Sequence, residues 1–417
     1  MDAFNENSNE QQAQQPMGCL HRFSKTIKVV IIGLLILLLM IPMFMIENLI
    51  SERGRTQEEA IDEVSEKWSL AQTITGPYLN LQYPVVTENN GEKKVSIKDL
   101  ILFPDELTIN GQLKTEILKR SIYEVNVYQS ELTLKGSFSS EELKKSRIDM
   151  EQLQFDRAAI CLNLTDMRGI SEQISITLGD SVYIFEPGMD NRGIDNTGVH
   201  AIANLSELKQ NKKLPYEIKI KLKGSQSLNF IPLGKTTRVD LKANWNTPSF
   251  TGNYLPNNRN ITEKEFSAQW QVLNLNRNYS QVMADYNTSN IKDIENSSFG
   301  VNFKIPVEQY QQSMRSAKYA ILIILLTFGV IFFTEIMNKT RIHALQYLLV
   351  GLALCLFYSL LLSFSEHVGF NPAYLLSSAL TIILVGGYMF GITKKKKPSL
   401  IMSGLLALIY IFIFFFI

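Results

Sequence analysis

Hydrophobic residues fall into two regimes along this chain. Near the ends they form long uncharged runs, at residues 29–46, 319–334, 342–364, 372–392 and 400–417. Runs of this length predict helices able to cross a membrane, five in all. Between them the pattern shortens. Ala60, Ile61, Val64, Trp68 and Ala71 recur at three- and four-residue steps, the mark of an amphipathic helix, and Gly76-Pro77 is its expected end. Beyond it the period is two, with Tyr123, Val125 and Val127 in one run and Leu132 and Leu134 in the next. Ile218, Ile220 and Leu222 then alternate with Lys219, Lys221 and Lys223. Such alternation describes strands with one buried and one wet face, hence antiparallel sheet. Asn90-Gly91 and Asn110-Gly111 are expected hairpin turns. Ile305-Pro306 opens a segment with Val307, Tyr310 and Met314 that predicts a second helix leading into span two.

The expected fold is therefore a mixed α/β membrane protein: an antiparallel β-sandwich-like exported domain plus helical transmembrane spans. Residues 1–28 form a cytoplasmic tail, and its first part, rich in Asn and Gln, buries too little apolar surface to order itself. Residues 29–50 form the first span, 51–318 the β-rich domain, and 319–417 four further helices. The first span is an uncleaved signal anchor, because its apolar run exceeds a signal-peptide core and Ile46-Glu47-Asn48-Leu49-Ile50-Ser51-Glu52 offers no small-x-small cleavage site. Cys19 precedes the apolar run, whereas a lipoprotein cysteine would follow one.

Charge changes the picture. The whole chain is nearly neutral, with 41 basic and 40 acidic residues and a mean hydropathy of +0.01. Residues 51–318 carry 32 basic against 34 acidic side chains, a balance that argues against nucleic-acid binding. The remaining basic residues sit in short flanks: Arg22, Lys25 and Lys28 before span one, Lys339 and Arg341 after span two, and Lys394 to Lys397 after span four. The loop after span three, Ser365-Glu366-His367-Val368-Gly369-Phe370, has neither Lys nor Arg. By the positive-inside rule the N-terminus is cytoplasmic and residues 51–318 are exported. The chain stops within an apolar run, Phe412-Ile413-Phe414-Phe415-Phe416-Ile417, which suggests a missing last helix.

Leu134-Lys135-Gly136-Ser137 recurs as Leu222-Lys223-Gly224-Ser225, each after an alternating strand that begins near a Tyr. Two related β halves, hence two β subdomains, and a coincidence of strand-turn chemistry both account for it.

No catalytic, cofactor-binding or metal-ligating residue emerges, and no cofactor is expected. The exported segment holds one histidine, His200, and one cysteine, Cys161, too few for a zinc site and for an internal disulfide. Ile160-Cys161-Leu162 reads as core. His200 lacks a nucleophile-elbow companion. Gly234-Lys235-Thr236-Thr237 resembles the end of a phosphate loop, but Asn229 stands where its first glycine belongs and Pro232 interrupts it. Glu141-Glu142 and Asp190 with Asp195 read as surface charge, and residues 180–195 do not fit a calcium loop. Glu335 and His343 lie near one end of their spans, Glu366 and His367 near the other, leaving the midplanes without charge. Gly386-Gly387 and Gly391 are explained by close helix packing.

Several strings are distinctive: Gly76-Pro77 after the Trp68 helix, Arg120-Ser121-Ile122-Tyr123-Glu124-Val125-Asn126-Val127-Tyr128, Asp166-Met167-Arg168-Gly169-Ile170, and Asn244-Trp245-Asn246-Thr247-Pro248-Ser249-Phe250-Thr251-Gly252. With Gln346-Tyr347-Leu348-Leu349-Val350-Gly351 and Ser363-Phe364-Ser365-Glu366-His367, they make residues 52–392 resemble the CreD family of bacterial inner-membrane proteins. The resemblance implies cell-envelope integrity: control by a two-component system, and links to colicin tolerance and β-lactam response. The family has no established catalytic residues, so none are carried over. Members usually add one more helix and a basic tail. The leading expectation is a non-enzymatic membrane protein whose periplasmic domain binds or senses an envelope protein or cell-wall partner, with the lipid bilayer as its solvent. The alternative is a transporter of a lipid or envelope precursor through the C-terminal helices.

Overall fold

The computed structural model describes residues 18–89, 92–145, 148–189, 193–210, 212–284, 288–303, 308–338 and 342–416. The chain divides into two compact units, Met1–Thr56 with Val307–Ile417, and Gln57–Pro306.

The first unit is helical. Helix α1 (Gly18–Trp68) supplies its N-terminal part and runs through Pro42 without a break. Neighbouring side chains can satisfy the carbonyl that proline leaves free. In the β-rich unit, α2 (Glu141–Lys145) and α3 (Thr288–Asn296) are short. The helical unit continues with α4 (Glu308–Lys318), α5 (Ala320–Asn338), α6 (Ala344–Val368), α7 (Phe370–Thr393) and α8 (Lys396–Phe416). Five helices among the described residues are long and apolar enough to cross a membrane, as the uncharged runs predict. Leu375, Ile383 and Phe415 stand exposed on outer faces, where lipid tails solvate them. Gly369, at φ +79°, makes the abrupt α6–α7 junction. Of the three glycines expected to serve helix packing only Gly386 does so: a Cβ there would collide with Ser403 of α8, and Ser399 Oγ donates to the Gly386 carbonyl at 2.7 Å. Gly387 and Gly391 have open space around them.

The second unit is a β sandwich. Its first strands are β1 (Gln72–Asn89), β2 (Glu92–Leu102), β3 (Glu106–Arg120), β4 (Tyr123–Phe138) and β5 (Ala158–Leu164). Then come β6 (Ser175–Leu178), β7 (Ser181–Ile184), β8 (Glu186–Pro187), β9 (Gly198–Ala203), β10 (Leu214–Ser225) and β11 (Ser227–Phe230). The last are β12 (Thr236–Ala243), β13 (Ser249–Gly252), β14 (Asn258–Ile261), β15 (Phe266–Leu273), β16 (Val282–Ala284) and β17 (Phe299–Asn302). One sheet runs β13-β17-β11-β1-β5-β9-β8, with β2 also on β1 and β16 on β2; the other runs β14-β15-β12-β3-β4-β10-β6-β7. Pairing is antiparallel except for β1 with β11 and β12 with β3. A single core fills the space between the sheets, joining Leu81, Leu100 and Leu102 of one to Ile109, Leu132, Ile218 and Leu222 of the other. The β10 lysines face outward, as the alternation predicts. A smaller core of Tyr78, Ile101, Phe103, Cys161 and Ile294 covers part of the first sheet's other face, against α3.

Several local expectations change. The helix containing Trp68 ends at that residue and is one piece with the first span; Ala71 lies outside it, and Gly76-Pro77 lies inside β1, at a shift of register against β5. Asn110-Gly111 is not a turn but the middle of β3, where a Cβ on Gly111 would crowd Leu132 and Leu241. The true β3–β4 turn is Ser121-Ile122, with Ser121 at φ 56°. The runs around Val125 and Leu132 are one strand, β4. Asn90 and Gly91 lie outside the described residues, between Asn89 and Glu92, which pair. Val307 also lies outside them, while Tyr310 and Met314 fall on α4.

The tetrapeptide echo has a physical meaning. Strands β4 and β10 pair antiparallel so that Gly136 lies opposite Tyr216 and Gly224 opposite Tyr128. Each glycine leaves room for the facing phenol: a Cβ on Gly136 would meet Tyr216 Oη, and one on Gly224 would meet the Tyr128 ring. The phenols cross these gaps to donate to Glu106 O at 3.1 Å and Ser227 O at 2.8 Å. Burial raises both phenol pKa values, so both remain donors. The echo is one reciprocal Tyr/Gly device on two neighbouring strands, inside one sandwich.

Candidate functional site

The residues that could suggest chemistry are held in structural roles. His200 on β9 is buried opposite Cys161, with Nδ1 2.7 Å from Gly188 O. Cys161 is a buried free thiol. In Gly234-Lys235-Thr236-Thr237, the Thr237 hydroxyl accepts from Gly234 N at 3.0 Å, and Lys235 pairs with Glu142 at 2.9 Å. Lys145, at 2.7 Å, and Lys235 hold the Glu142 carboxyl below the usual range. Asp195 accepts from Asn196 N and Thr197 Oγ1 in its own turn, and Asp190 lies outside the described residues. Among the described residues no His, Cys, Asp or Glu groups are placed to hold a metal.

Two buried polar devices were not apparent from sequence. The first is the loop Asp166-Met167-Arg168-Gly169. Asp166, 6% exposed, accepts from Leu70 N at 2.9 Å, Arg168 N at 3.0 Å, Arg168 Nε at 3.0 Å and Ser69 Oγ at 3.3 Å. Burial works against its charge, but these donors outweigh it and lower its pKa. Gln72 Nε2 donates to Asp166 O at 2.8 Å, and Arg168 Nη1 reaches Glu66 O at 2.6 Å. An orphan carbonyl in the last turn of α1 is thus satisfied by a cation, the sign a helix C-terminus prefers. Lys223 Nζ stands 5.0 Å over the Trp68 ring, and Gln226 Nε2 donates to Ser65 Oγ at 3.4 Å. The distinctive Asp-Met-Arg-Gly string is a clamp on residues 65–72.

The second is Arg277, 8% exposed and without a carboxylate partner among the described residues. Its Nη2 donates to Leu233 O at 3.1 Å and to Gln281 Oε1, while Nε and Nη1 have no partner among the described residues. The guanidinium lies over Tyr279 at 4.4 Å, and burial lowers its pKa. Tyr279 Oη donates to Pro232 O at 3.1 Å, and Gln281 Nε2 to Pro104 O at 2.6 Å. Alternate residues 277, 279 and 281 therefore pin the 232–234 loop, which accounts for the phosphate-loop lookalike.

The surface feature that stands out is the β1–β2 hairpin. On one face Leu81, Tyr83 and Val85 pack on the central core. On the other, Pro84 pairs with Ile97 and Val86 with Val95. Val86, Val95 and Ile97 are 60%, 62% and 63% exposed. Elsewhere, an open polar groove of about 650 Å³ runs over the second sheet, past Asn110, Gln112, Asp240, Lys242 and Gln269.

In the helical unit, Glu335 of α5 pairs with Lys28 of α1 and accepts from Tyr347 Oη at 3.1 Å and Ile342 N at 3.3 Å. Lys28 also donates to Ile342 O at 2.8 Å. Glu366 accepts from Tyr310 Oη at 3.1 Å and lies 3.8 Å from Arg53 Nε. Among α6, α7 and α8 an aromatic cluster centres on Phe357, 4.6 Å from Tyr410 and 5.4 Å from Tyr374. The buried hydroxyls of Tyr358, Tyr410 and Ser377 have no hydrogen-bond partner among the described residues.

A polytopic helical unit with a large β sandwich inserted after its first span defines a membrane protein with a large β-rich insertion. The model of the family described as inner membrane protein CreD matches residues 24–417. The inner membrane protein CreD of Escherichia coli (strain K12) is 32% identical over 381 residues, covering 90% of this chain and 83% of that protein. The chain belongs to the CreD family and is an inner-membrane protein.

Proposed function

We propose that the protein supports the cell envelope by presenting its β sandwich on the periplasmic side as a docking or sensing platform for an envelope protein or cell-wall partner. The distribution of Lys and Arg in short flanks supports that orientation. The observation that carries the platform reading is the apolar hairpin face, Val86, Val95 and Ile97, open to solvent on a hairpin whose first strand packs Tyr83 and Val85 on the core from its other face. A photo-crosslinking side chain at Ile97 in intact cells tests it, with exposed Lys264 as the control position. Adducts at 97 above those at 264 are expected; equal labelling at both would sink the reading.

A second reading, carriage of a lipid or envelope precursor, draws on the hydroxyls of Tyr358, Tyr410 and Ser377 among α6–α8, which have no partner among the described residues and so offer polar groups inside the bundle. Tyr358→Phe with Tyr410→Phe would then abolish the envelope phenotype while leaving folding and Ile97 adducts intact.

A further inference from the structure

We infer that the groove over the second sheet is a binding site for an uncharged oligosaccharide, which lies across the strands and is held through its hydroxyls. The site is separate from the apolar hairpin face, and neither reading depends on the other.

The groove has a volume of about 650 Å³ and is lined by residues of β3, β4, β12 and β15 alone. That volume falls within the range of small-ligand sites, about 300–1,000 Å³. Its floor is regular. The pairing of β4, β3, β12 and β15 sets Thr133, Asn110, Asp240 and Gln269 side by side in one row. Two residues along each strand, Glu131, Gln112, Lys242 and Ser267 make a second row. Side chains alternate between the faces of a strand, and Ile109, Leu113, Leu132 and Leu241 take the inner face in the core, so both rows project outward. Neighbouring strands lie about 4.8 Å apart, so four positions extend over roughly 14 Å. The backbone groups beneath are used by the ladders, which leaves recognition to the side chains.

This strip differs from an ordinary solvated sheet face. Just beyond it, Lys135 pairs with Glu217 at 3.1 Å and Lys221 with Glu172 at 2.8 Å, and Lys221 also stands 4.0 Å from Glu131 at the groove's edge. Within the groove, the side chains of Asn110, Gln112, Asp240 and Lys242 make no hydrogen bond or ion pair among the described residues. Polar groups that are held on a rigid floor and leave their own neighbours unbonded are available to a ligand.

Their chemistry selects the occupant. Neither row projects an aromatic or large aliphatic side chain, so the groove lacks the anchors that protein partners use. Asp240 and Glu131 oppose a polyphosphate, and Lys242 alone does not offset them. Among the described residues no third His, Cys, Asp or Glu joins the two carboxylates to hold a metal. What fits is a neutral ligand rich in groups that both donate and accept. Sugar hydroxyls do both. A carboxamide presents a donor and an acceptor in one plane, able to meet two adjacent hydroxyls, and a carboxylate accepts from two. The rings of a glycan repeat such hydroxyl pairs along its length, as the rows repeat polar side chains across the strands.

The test immobilises chitotetraose, cellotetraose and maltotetraose as neutral probes, with tetragalacturonic acid and a heparin tetrasaccharide as acidic ones, and applies the full-length protein in nanodiscs. At least one neutral tetrasaccharide should bind, and more tightly than either acidic one. Asp240→Ala should weaken that binding roughly tenfold or more and Gln112→Ala roughly three- to tenfold, because a hydrogen bond to a charged group is worth more than one to a neutral group. Lys219→Ala, on β10 outside the groove, should leave it unchanged. None of these side chains lies in the core, and an unchanged melting temperature checks that each variant folds. Binding of no neutral glycan, preference for the acidic pair, or undiminished binding by Asp240→Ala overturns the inference. Adducts at Ile97 in cells bear on the hairpin face alone, so the two readings fall separately.

Discussion

Replacing Asp166 is the most informative single change in the β-rich unit. In Asp166→Ala the backbone N–H groups of Leu70 and Arg168, now bonded at 2.9 and 3.0 Å, lose their acceptor beside a residue only 6% exposed. Each of these part-buried donors left unmet costs up to about 1–3 kcal/mol, so the expected loss is roughly 2–6 kcal/mol. The Arg168 head is solvated and is left out of that sum. Asp166→Asn keeps one oxygen and should lose about half as much. The measurement is urea or thermal unfolding of the full chain in detergent, followed by tryptophan fluorescence, since Trp68 adjoins the clamp. The pH dependence adds a sign: the folded carboxyl titrates below the usual value, so its contribution is complete above about pH 4 and is lost as pH falls through the lowered value. Wild type should therefore lose stability in acid faster than Asp166→Asn. A cost below about 0.5 kcal/mol for Asp166→Ala, or parallel acid profiles, would refute the clamp.

Other outcomes follow from close approaches. Gly224→Ala should cost about 1–3 kcal/mol, relieved by truncating Tyr128, because the obstacle is a side chain; Gly136→Ala should resist rescue by Tyr216 truncation, because the Glu106 carbonyl also stands in the way. In melting experiments Gly386→Ala should destabilise and be tolerated in a Ser403→Ala background, while Gly387→Ala and Gly391→Ala should be neutral. Removing either Lys28 or Glu335 alone should destabilise the helical unit more than replacing both with methionine, since a single removal strands a part-buried charge; a double variant worse than both singles would contradict this.

The spans and the sandwich were legible because each rests on a single period sustained over many residues. What escaped the sequence depended on partners far along the chain. Between Glu47 and Arg55 only Gly54 disfavours a helix, yet the change from apolar to charged residues reads as the end of one element, and α1 runs through it. Asn110-Gly111 has turn chemistry, but Leu132 and Leu241 decide that β3 continues. The Tyr/Gly echo became intelligible only when β4 and β10 were seen to face each other in opposite directions. Arg277 reads as a surface cation until Leu233 and Gln281 close over it. The alternation of Val95 and Ile97 is that of any half-buried strand, so period alone could not tell an open face from a covered one.

The Lys28–Glu335 pair bears on how the protein is made. Ribosomes deliver α1 some three hundred residues before α5. When α5 emerges, the ammonium that neutralises its one carboxylate already stands at the start of the first span, and the Ile342 amide and Tyr347 hydroxyl arrive within the next dozen residues. The carboxylate of α5 thus meets a counter-charge that was synthesised well before it, so the order of synthesis favours pairing α5 with α1 as soon as it emerges.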